Sequence, residues 1–133
     1  MFEVNSIKEV ETGTLDVINP STGAKMDGTT LTLAGPNHPT RKALEFNRAR
    51  VLRARVNKKG KFEMTDPQED EDYEIDRLVA CTTGWTGFVR DGNPIQCTDA
   101  EKRAIYEHAA WLRKQVSDFL DDPMNFIKSA KTA

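Results

Sequence analysis

The amino-acid sequence predicts a single α+β domain, in which an N-terminal antiparallel β-hairpin region is followed by three to four α-helices. Leu and Thr alternate at residues 29–33, which is typical of a strand with one buried face. Residues 98–120 begin with a helix-capping sequence and continue with apolar residues three and four apart. The length of 133 residues suits one domain. Within a domain spanning 1–133, we expect residues 1–36 to be β-rich and residues 37–133 to be helical.

The β-rich part is predicted to contain two paired strands. Residues 13–18 are rich in β-branched side chains and end at the turn sequence Asn-Pro-Ser-Thr-Gly of residues 19–23. An Asp-Gly pair then precedes the alternating run at 29–33. Strands this close in sequence usually pair antiparallel, and the Ala-Gly-Pro-Asn sequence of residues 34–37 is expected to close the unit.

Two helices are predicted to follow this unit. The first begins within residues 37–40 and runs to about Val56, with Gly60 as a left-handed residue just beyond its end. The second begins at the Thr-Asp-Pro sequence of residues 65–67, where acids in the first turn favour a helix start. Residues 82–84 are expected to end it.

Charge divides sharply between these two helices. Residues 41–61 carry nine basic side chains and one acid, whereas residues 66–76 carry seven acids and no base. The favoured interpretation is that the two blocks pair, either within one molecule or between subunits. Nucleic-acid binding by the basic block and plain surface charge are the alternatives. The net charge of −2 gives no overall reason to expect nucleic acid as a partner.

The C-terminal half is predicted to contain a connector, one long helix and a short one. Residues 85–95 include two aromatic side chains and a turn, so part of this connector should pack on the core. The long helix at 98–120 is expected to be continuous and to start with a reciprocal cap between Thr98 and Glu101. The short helix is expected at 124–130. The buried stripe of the long helix is predicted to comprise Ile105, Ala109, Leu112, Val116, Phe119 and Leu120.

Aromatic residues supply the candidate partner-binding site. Core packing is the default role of such residues, but Trp111 lies beside the apolar stripe, and Trp and Phe commonly anchor interfaces. Charged side chains on the basic helix would add orientation to such a contact. The predicted partner-binding residues are Trp85, Phe88, Trp111, Phe126, Arg48 and Arg55.

Motifs for catalysis, cofactors and metals are missing from the sequence. The two histidines, His38 and His108, do not have metal-ligand spacing, and no nucleotide-binding or nucleophile motif occurs. Cys81 and Cys97 are interpreted as small buried hydrophobes with free thiols in a reducing cytoplasm. No signal peptide or membrane-spanning run is apparent. We therefore expect a protein that is not an enzyme and has no cofactor or membrane partner.

Turn and packing signatures extend through most of the chain. They comprise 19–23, 31–36, 84–88, 92–95, Thr98, 116–119 and 125–126. This set resembles the tail assembly chaperones of long-tailed, siphovirus-like bacteriophages, although its strand-rich beginning differs from the more purely helical members. The signatures are turns and packing positions, not catalytic fingerprints.

The resemblance implies a protein that binds the tape measure protein and helps the tail tube protein polymerise around it. Such proteins can self-associate, act in the cytoplasm of the host bacterium and are typically absent from the finished virion. Some families also make a longer, frameshifted product. A minor structural virion protein of the tail or head–tail joint is one alternative. A small nucleic-acid-binding or regulatory module that uses the basic helix of residues 41–61 is another.

Overall fold

The part of the chain that the structure describes has an α+β fold with four helices and a strand-rich N-terminal part, as the sequence predicts. The computed structural model describes residues 1–59 and 65–129, so Gly60 and the last residue of the helix predicted at 124–130 lie outside the described residues. In chain order the elements are β1 (Ile7–Glu9), β2 (Thr12–Ile18), β3 (Lys25–Ala34), α1 (Pro39–Lys59), α2 (Pro67–Cys81), β4 (Thr82–Thr86), β5 (Val89–Arg90), β6 (Asn93–Pro94), α3 (Asp99–His108), α4 (Ala110–Asp121), a 3₁₀ turn (Pro123–Phe126) and β7 (Ile127–Ser129).

The central sheet has three antiparallel strands in the order β2-β3-β4. Its middle strand confirms the predicted alternation, because Leu31 and Leu33 are fully buried whereas Thr30 and Thr32 are partly exposed. Leu31 lies opposite Leu15 on one side and Trp85 on the other. The predicted β2–β3 pair is therefore confirmed, and a strand that the sequence did not reveal completes the sheet.

The predicted end of the second helix at residues 82–84 is confirmed, because α2 ends at Cys81, but β4 begins there and corrects the connector predicted at residues 85–95. Thr82 to Thr86 form a ladder with β3, reinforced by a hydrogen bond of 2.8 Å between the hydroxyls of Thr30 and Thr86. Thr and Trp favour strands, but the run is short and follows a helix without a break. Only the pairing with β3, far away in sequence, distinguishes it from a loop.

The predicted helix at 124–130 is wrong. The proline stops α4 as expected, but only one 3₁₀ turn follows before β7 pairs antiparallel with β1, where Ile7 lies opposite Ser129 and Glu9 opposite Ile127. A single helical turn is short of the length at which helices become stable alone. Backbone hydrogen bonds to residues 7–9 provide a nonlocal alternative. Strands β4 to β7 consequently lie within the part that the sequence assigned to helices.

The long helix predicted at 98–120 is divided in two at Ala109, which has a non-helical backbone (φ −113°, ψ 84°). Tyr106 of α3 is fully buried in the core, where its hydroxyl meets that of Thr82 at 2.6 Å, whereas Ile105, predicted for the buried stripe, packs against the core but is only partly buried. The Arg113 guanidinium donates to the Tyr106 carbonyl at 2.5 Å, which satisfies a backbone group that the division leaves free. Burial and capping together stabilise the break.

Helix starts are the best-predicted local features. The Asp66 carboxylate accepts from the Gln68 amide at 2.8 Å, and the Thr98 hydroxyl accepts from the Glu101 amide at 3.3 Å. The reciprocal half of the second cap is absent, because the Glu101 carboxylate pairs with Arg90 at 2.9 Å.

A hydrophobic core lies between the central sheet and helices α2, α3 and α4. The core comprises Val17, Leu31, Leu33, Ala34, Ile75, Leu78, Val79, Cys81, Tyr106, Ala109, Leu112, Val116, Leu120 and Phe126.

Candidate partner-binding site

An apolar groove of about 610 Å³ lies between the β5–β6 hairpin and the junction of α3 with α4. The hairpin forms one wall and the two helices form the other. Small side chains at Ala104 and Ala109 leave open space beside the break between the helices. The lining residues are Phe88, Val89, Arg90, Ile95, Ala104, Ile105, His108, Ala109, Trp111 and Leu112.

The hairpin wall is built by a two-residue turn. Asp91 (φ 52°) and Gly92 (φ 80°) both adopt left-handed backbone conformations, as a tight hairpin of type I′ requires, and Asp-Gly is a favoured pair for it. Val89 then lies opposite Pro94 and Arg90 opposite Asn93. The ion pair between Arg90 and Glu101, at 2.9 Å, connects this wall to α3.

Trp85 supports the hairpin wall from the core side. Its ring centroid lies 4.9 Å from that of Phe88, and its indole Nε1 donates to the Ile95 carbonyl at 2.8 Å. The Ile95 amide in turn donates to the Phe88 carbonyl at 2.9 Å. Because these contacts join the two ends of the hairpin to the sheet, the wall is positioned before any partner arrives.

Two apolar side chains at the groove are accessible to a partner. Val89 is 59% exposed and Trp111 is 40% exposed, whereas Leu112 beneath them is 1% exposed. Large apolar groups that remain accessible beside a buried floor are typical of protein interaction sites. Trp111 therefore has the position expected of an anchor, and the predicted burial of Leu112 is confirmed.

The aromatic residues that the sequence proposed for partner binding separate into three places. Phe88 and Trp111 line the groove, and Trp85 packs behind Phe88. Phe126 does not share this surface, because it is 1% exposed and packs edge-on against Phe119 with ring centroids 5.4 Å apart. Its predicted place among the partner-binding residues is thus corrected: Phe126 is a core residue of the 3₁₀ turn.

The two arginines proposed for partner binding lie between α1 and α2. Glu69 accepts from Arg48 at 3.2 Å and from Arg55 at 2.5 Å, and the Arg48 guanidinium also lies 4.7 Å from the Tyr73 ring centroid. The hydrogen bond from Arg55 holds the pKa of the Glu69 carboxyl below its usual value. Pairing of the basic and acidic blocks therefore occurs within the molecule at these residues.

The groove lining includes Val89, Ile95 and Ile105, which are not among the partner-binding residues predicted from the sequence. Val89 and Ile95 flank the Asp-Gly turn, so the hairpin signal at that turn is the feature that would have grouped them. Ile105 was assigned to the buried stripe on the assumption of a continuous helix. The break at Ala109 turns it toward the groove.

Thiol and imidazole groups do not form a reactive pair in the described contacts. Burial raises the pKa of the Cys81 thiol to about 11, so it stays protonated at neutral pH. The His38 ring nitrogen Nδ1 accepts from the Thr40 amide at 3.2 Å, and His108 lines the groove. Within residues 1–59 and 65–129, no cluster of three or more metal-ligating side chains occurs.

Comparison of the chain with protein-family models, curated proteins and solved structures finds no match. Among the helices of the described residues, none has both the length and the apolar character needed to cross a membrane. The interpretation of the site therefore depends on the geometry of the groove and on the sequence itself.

Proposed function

We propose that this chain is a non-catalytic assembly protein that holds an apolar helical face of a partner protein in the groove beside Trp111. The observation that carries the proposal is the accessibility of Trp111 and Val89 above a buried floor. An amphipathic helix places apolar side chains three and four residues apart, and a groove between a hairpin and a helix pair accepts such a row. Burial of the exposed parts of Val89 and Trp111 would drive association.

The proposed partner is the tape measure protein of a long-tailed phage, and the proposed role is that of a tail assembly chaperone. This identity is supported by the resemblance of the turn and packing signatures described above. Repeated moderate apolar contacts along a long helical protein suit a chaperone that must later be displaced. In this role the chain acts in the cytoplasm of the host bacterium, promotes polymerisation of the tail tube protein and is absent from the mature virion.

Co-purification with the tape measure protein encoded in the same genome tests the proposal. We expect Trp111→Ala to weaken binding about tenfold or more, because interface tryptophans are often dominant contacts. The melting temperature should fall less than for a variant of the buried floor. The matched control is Met124→Ala, which truncates another large apolar side chain, 70% exposed and outside the groove lining.

Three outcomes would contradict the proposal. The first is equal binding by wild type and Trp111→Ala. The second is global unfolding of Trp111→Ala, which would make Trp111 a core residue and leave the interface elsewhere. The third is detection of the chain in purified particles by mass spectrometry, which would instead support a minor structural virion protein.

A further inference from the structure

Six basic side chains of α1 divide between two faces of the helix. Arg41, Arg48 and Arg55 point inward: Arg41 is 5% exposed, and the other two pair with Glu69 of α2. A second set lies on the opposite side, where the structure leaves the helix uncovered. This outer face comprises Lys42, Phe46, Arg50 and Arg53, all of them exposed.

The outer face is a continuous row. Its members are four, four and three residues apart, so with about 3.6 residues per turn they project in nearly the same direction along about 16 Å of helix. Phe46 is 52% exposed at the centre, and the Lys42 ammonium lies 5.9 Å from its ring centroid. Exposed alanines at 43, 49 and 54 flank the row and leave room for close approach of another helix.

From charge complementarity we propose that the outer face of α1 binds an acidic amphipathic helix of a second partner protein. Carboxylates eight and three residues apart on such a helix, on the same face, match the spacing of Lys42, Arg50 and Arg53. An apolar side chain of the same helix would cover Phe46. Phe46 lies between Lys42 and Arg50, and aromatic and arginine side chains are enriched at protein interfaces.

A second copy of this chain does not fit the face. A two-fold contact would place each copy's cations against those of the other, since a symmetric interface uses one surface twice. The acids of α2 are also largely engaged inside the molecule: Arg48 contacts Glu69 and Asp70, and Arg103 contacts Asp76. The partner is therefore a different, acidic protein.

Nucleic acid fits less well than an acidic helix. Duplex DNA carries about one charge per 1.7 Å, so a 16 Å stretch presents roughly ten phosphates to three cations. The surface is also convex instead of forming a channel. Asp72 and Asp76 line a shallow depression together with Asn47, next to the row, and would repel phosphates.

The outer face and the groove can be occupied at the same time. α2 contacts α1 through Glu69, and it contacts α4 and α3 through the ion pairs of Glu71 with Arg113 and of Asp76 with Arg103. It thus separates the layer that carries the outer face from the layer that carries the groove. Binding to the outer face does not depend on the function proposed for the groove.

Fluorescence anisotropy with the full chain tests the inference. The probe is a labelled synthetic helix of about three heptads, with Leu at the core positions and Glu beside them. Its uncharged counterpart has Gln in place of Glu, and duplex and single-stranded DNA of similar length complete the set. The protein variants are Arg50→Glu, the charge-matched control Lys114→Glu at an exposed position of α4, and the groove variant Trp111→Ala.

We expect the acidic helix to bind, and we expect Arg50→Glu to weaken it about tenfold or more. Lys114→Glu and Trp111→Ala should change the affinity by less than about twofold, since neither lies on the outer face. Equal binding of the Gln helix, or sensitivity to Trp111→Ala instead of Arg50→Glu, would overturn the inference. So would DNA that binds at least as tightly as the acidic helix and is released by Arg50→Glu, because the face would then be a nucleic-acid site.

Discussion

Helix α1 and the layer formed by the sheet with α2, α3 and α4 are stabilised by different physics. Of the described α1 side chains only Arg41 is buried, and Arg48 and Arg55 face the carboxylate of Glu69 across the α1–α2 contact. The layer of the sheet with α2, α3 and α4 contains the fully buried Leu31, Leu112 and Val116. Exposed ion pairs stabilise a fold weakly, whereas each buried apolar side chain contributes about 1.5–3 kcal/mol.

The same difference in stabilisation predicts two different ways of recognising a partner, one by charge and one by apolar contact. Helix α1 uses part of its charge in ion pairs with α2 and leaves an outer row of cations, so its specificity comes from charge spacing. The layer of the sheet with α2, α3 and α4 uses nearly all its apolar residues internally and leaves Val89 and Trp111 accessible beside the groove. Each candidate surface therefore consists of side chains that the internal contacts of the folded protein leave exposed.

Truncation of the groove floor should give the largest effect and tests whether the layer of the sheet with α2, α3 and α4 carries the stability. We expect Leu112→Ala to lower the free energy of unfolding by about 2–5 kcal/mol, because the side chain is 1% exposed and its loss leaves a cavity. Urea denaturation measures the change. A loss below about 1 kcal/mol would mean that neighbouring side chains fill the missing volume and that buried apolar side chains contribute less to stability than we expect.

Loss of the buried arginine of α1 should give an intermediate effect, because Arg41 connects α1 to the layer of the sheet with α2, α3 and α4. Its guanidinium donates to the carbonyls of Ala34 and Leu120, each at 2.9 Å, and to the Glu45 carboxylate at 3.1 Å. Arg41→Met leaves those carbonyls without their donor, so we expect a loss of about 1–3 kcal/mol by urea denaturation. Arg53→Met on the outer face is the control and should be nearly neutral.

Acid titration of the α1–α2 contact should give the smallest effect. The pKa of Glu69 in the folded protein lies below the ordinary value of 4.5, so its pairing stabilises the fold above that value and is lost as the pH falls through the lowered pKa. Between about pH 5 and pH 2, the melting temperature of wild type should fall more steeply than that of Glu69→Gln. Parallel curves would show that the pair contributes nothing. Glu107→Gln on α3 is the matched control.

The local features of the fold could be predicted from the sequence, and the long-range ones could not. Caps at Asp66 and Thr98 depend on residues within one helical turn, and the alternation at 29–33 depends on a single strand. Pairing of β7 with β1 and of β4 with β3 depends on residues far away in sequence. Short runs of this kind have no period long enough to identify them.

The distinction between local and long-range features also explains which residues of the candidate site could be predicted from the sequence. Trp111 was recognised because it lies off an apolar stripe, which is a local property. The burial of Phe126 depends on Phe119 and on Gly35, where an added Cβ would approach the Phe126 ring to 2.9 Å. The internal pairing of Arg48 and Arg55 requires the angle between two helices. Neither the burial of Phe126 nor the pairing of these arginines can be predicted from the spacing of residues along one helix or strand.

The β1–β7 ribbon has a mechanical consequence. Ile7 and Ser129 lie opposite each other at one end of the ribbon, and Glu9 and Ile127 lie opposite each other at its other end. A force that pulled residues 7 and 129 apart would load the hydrogen bonds one after another, as in opening a zipper, and not all together in shear. The ribbon would open at low force and leave the three-stranded sheet to bear the load.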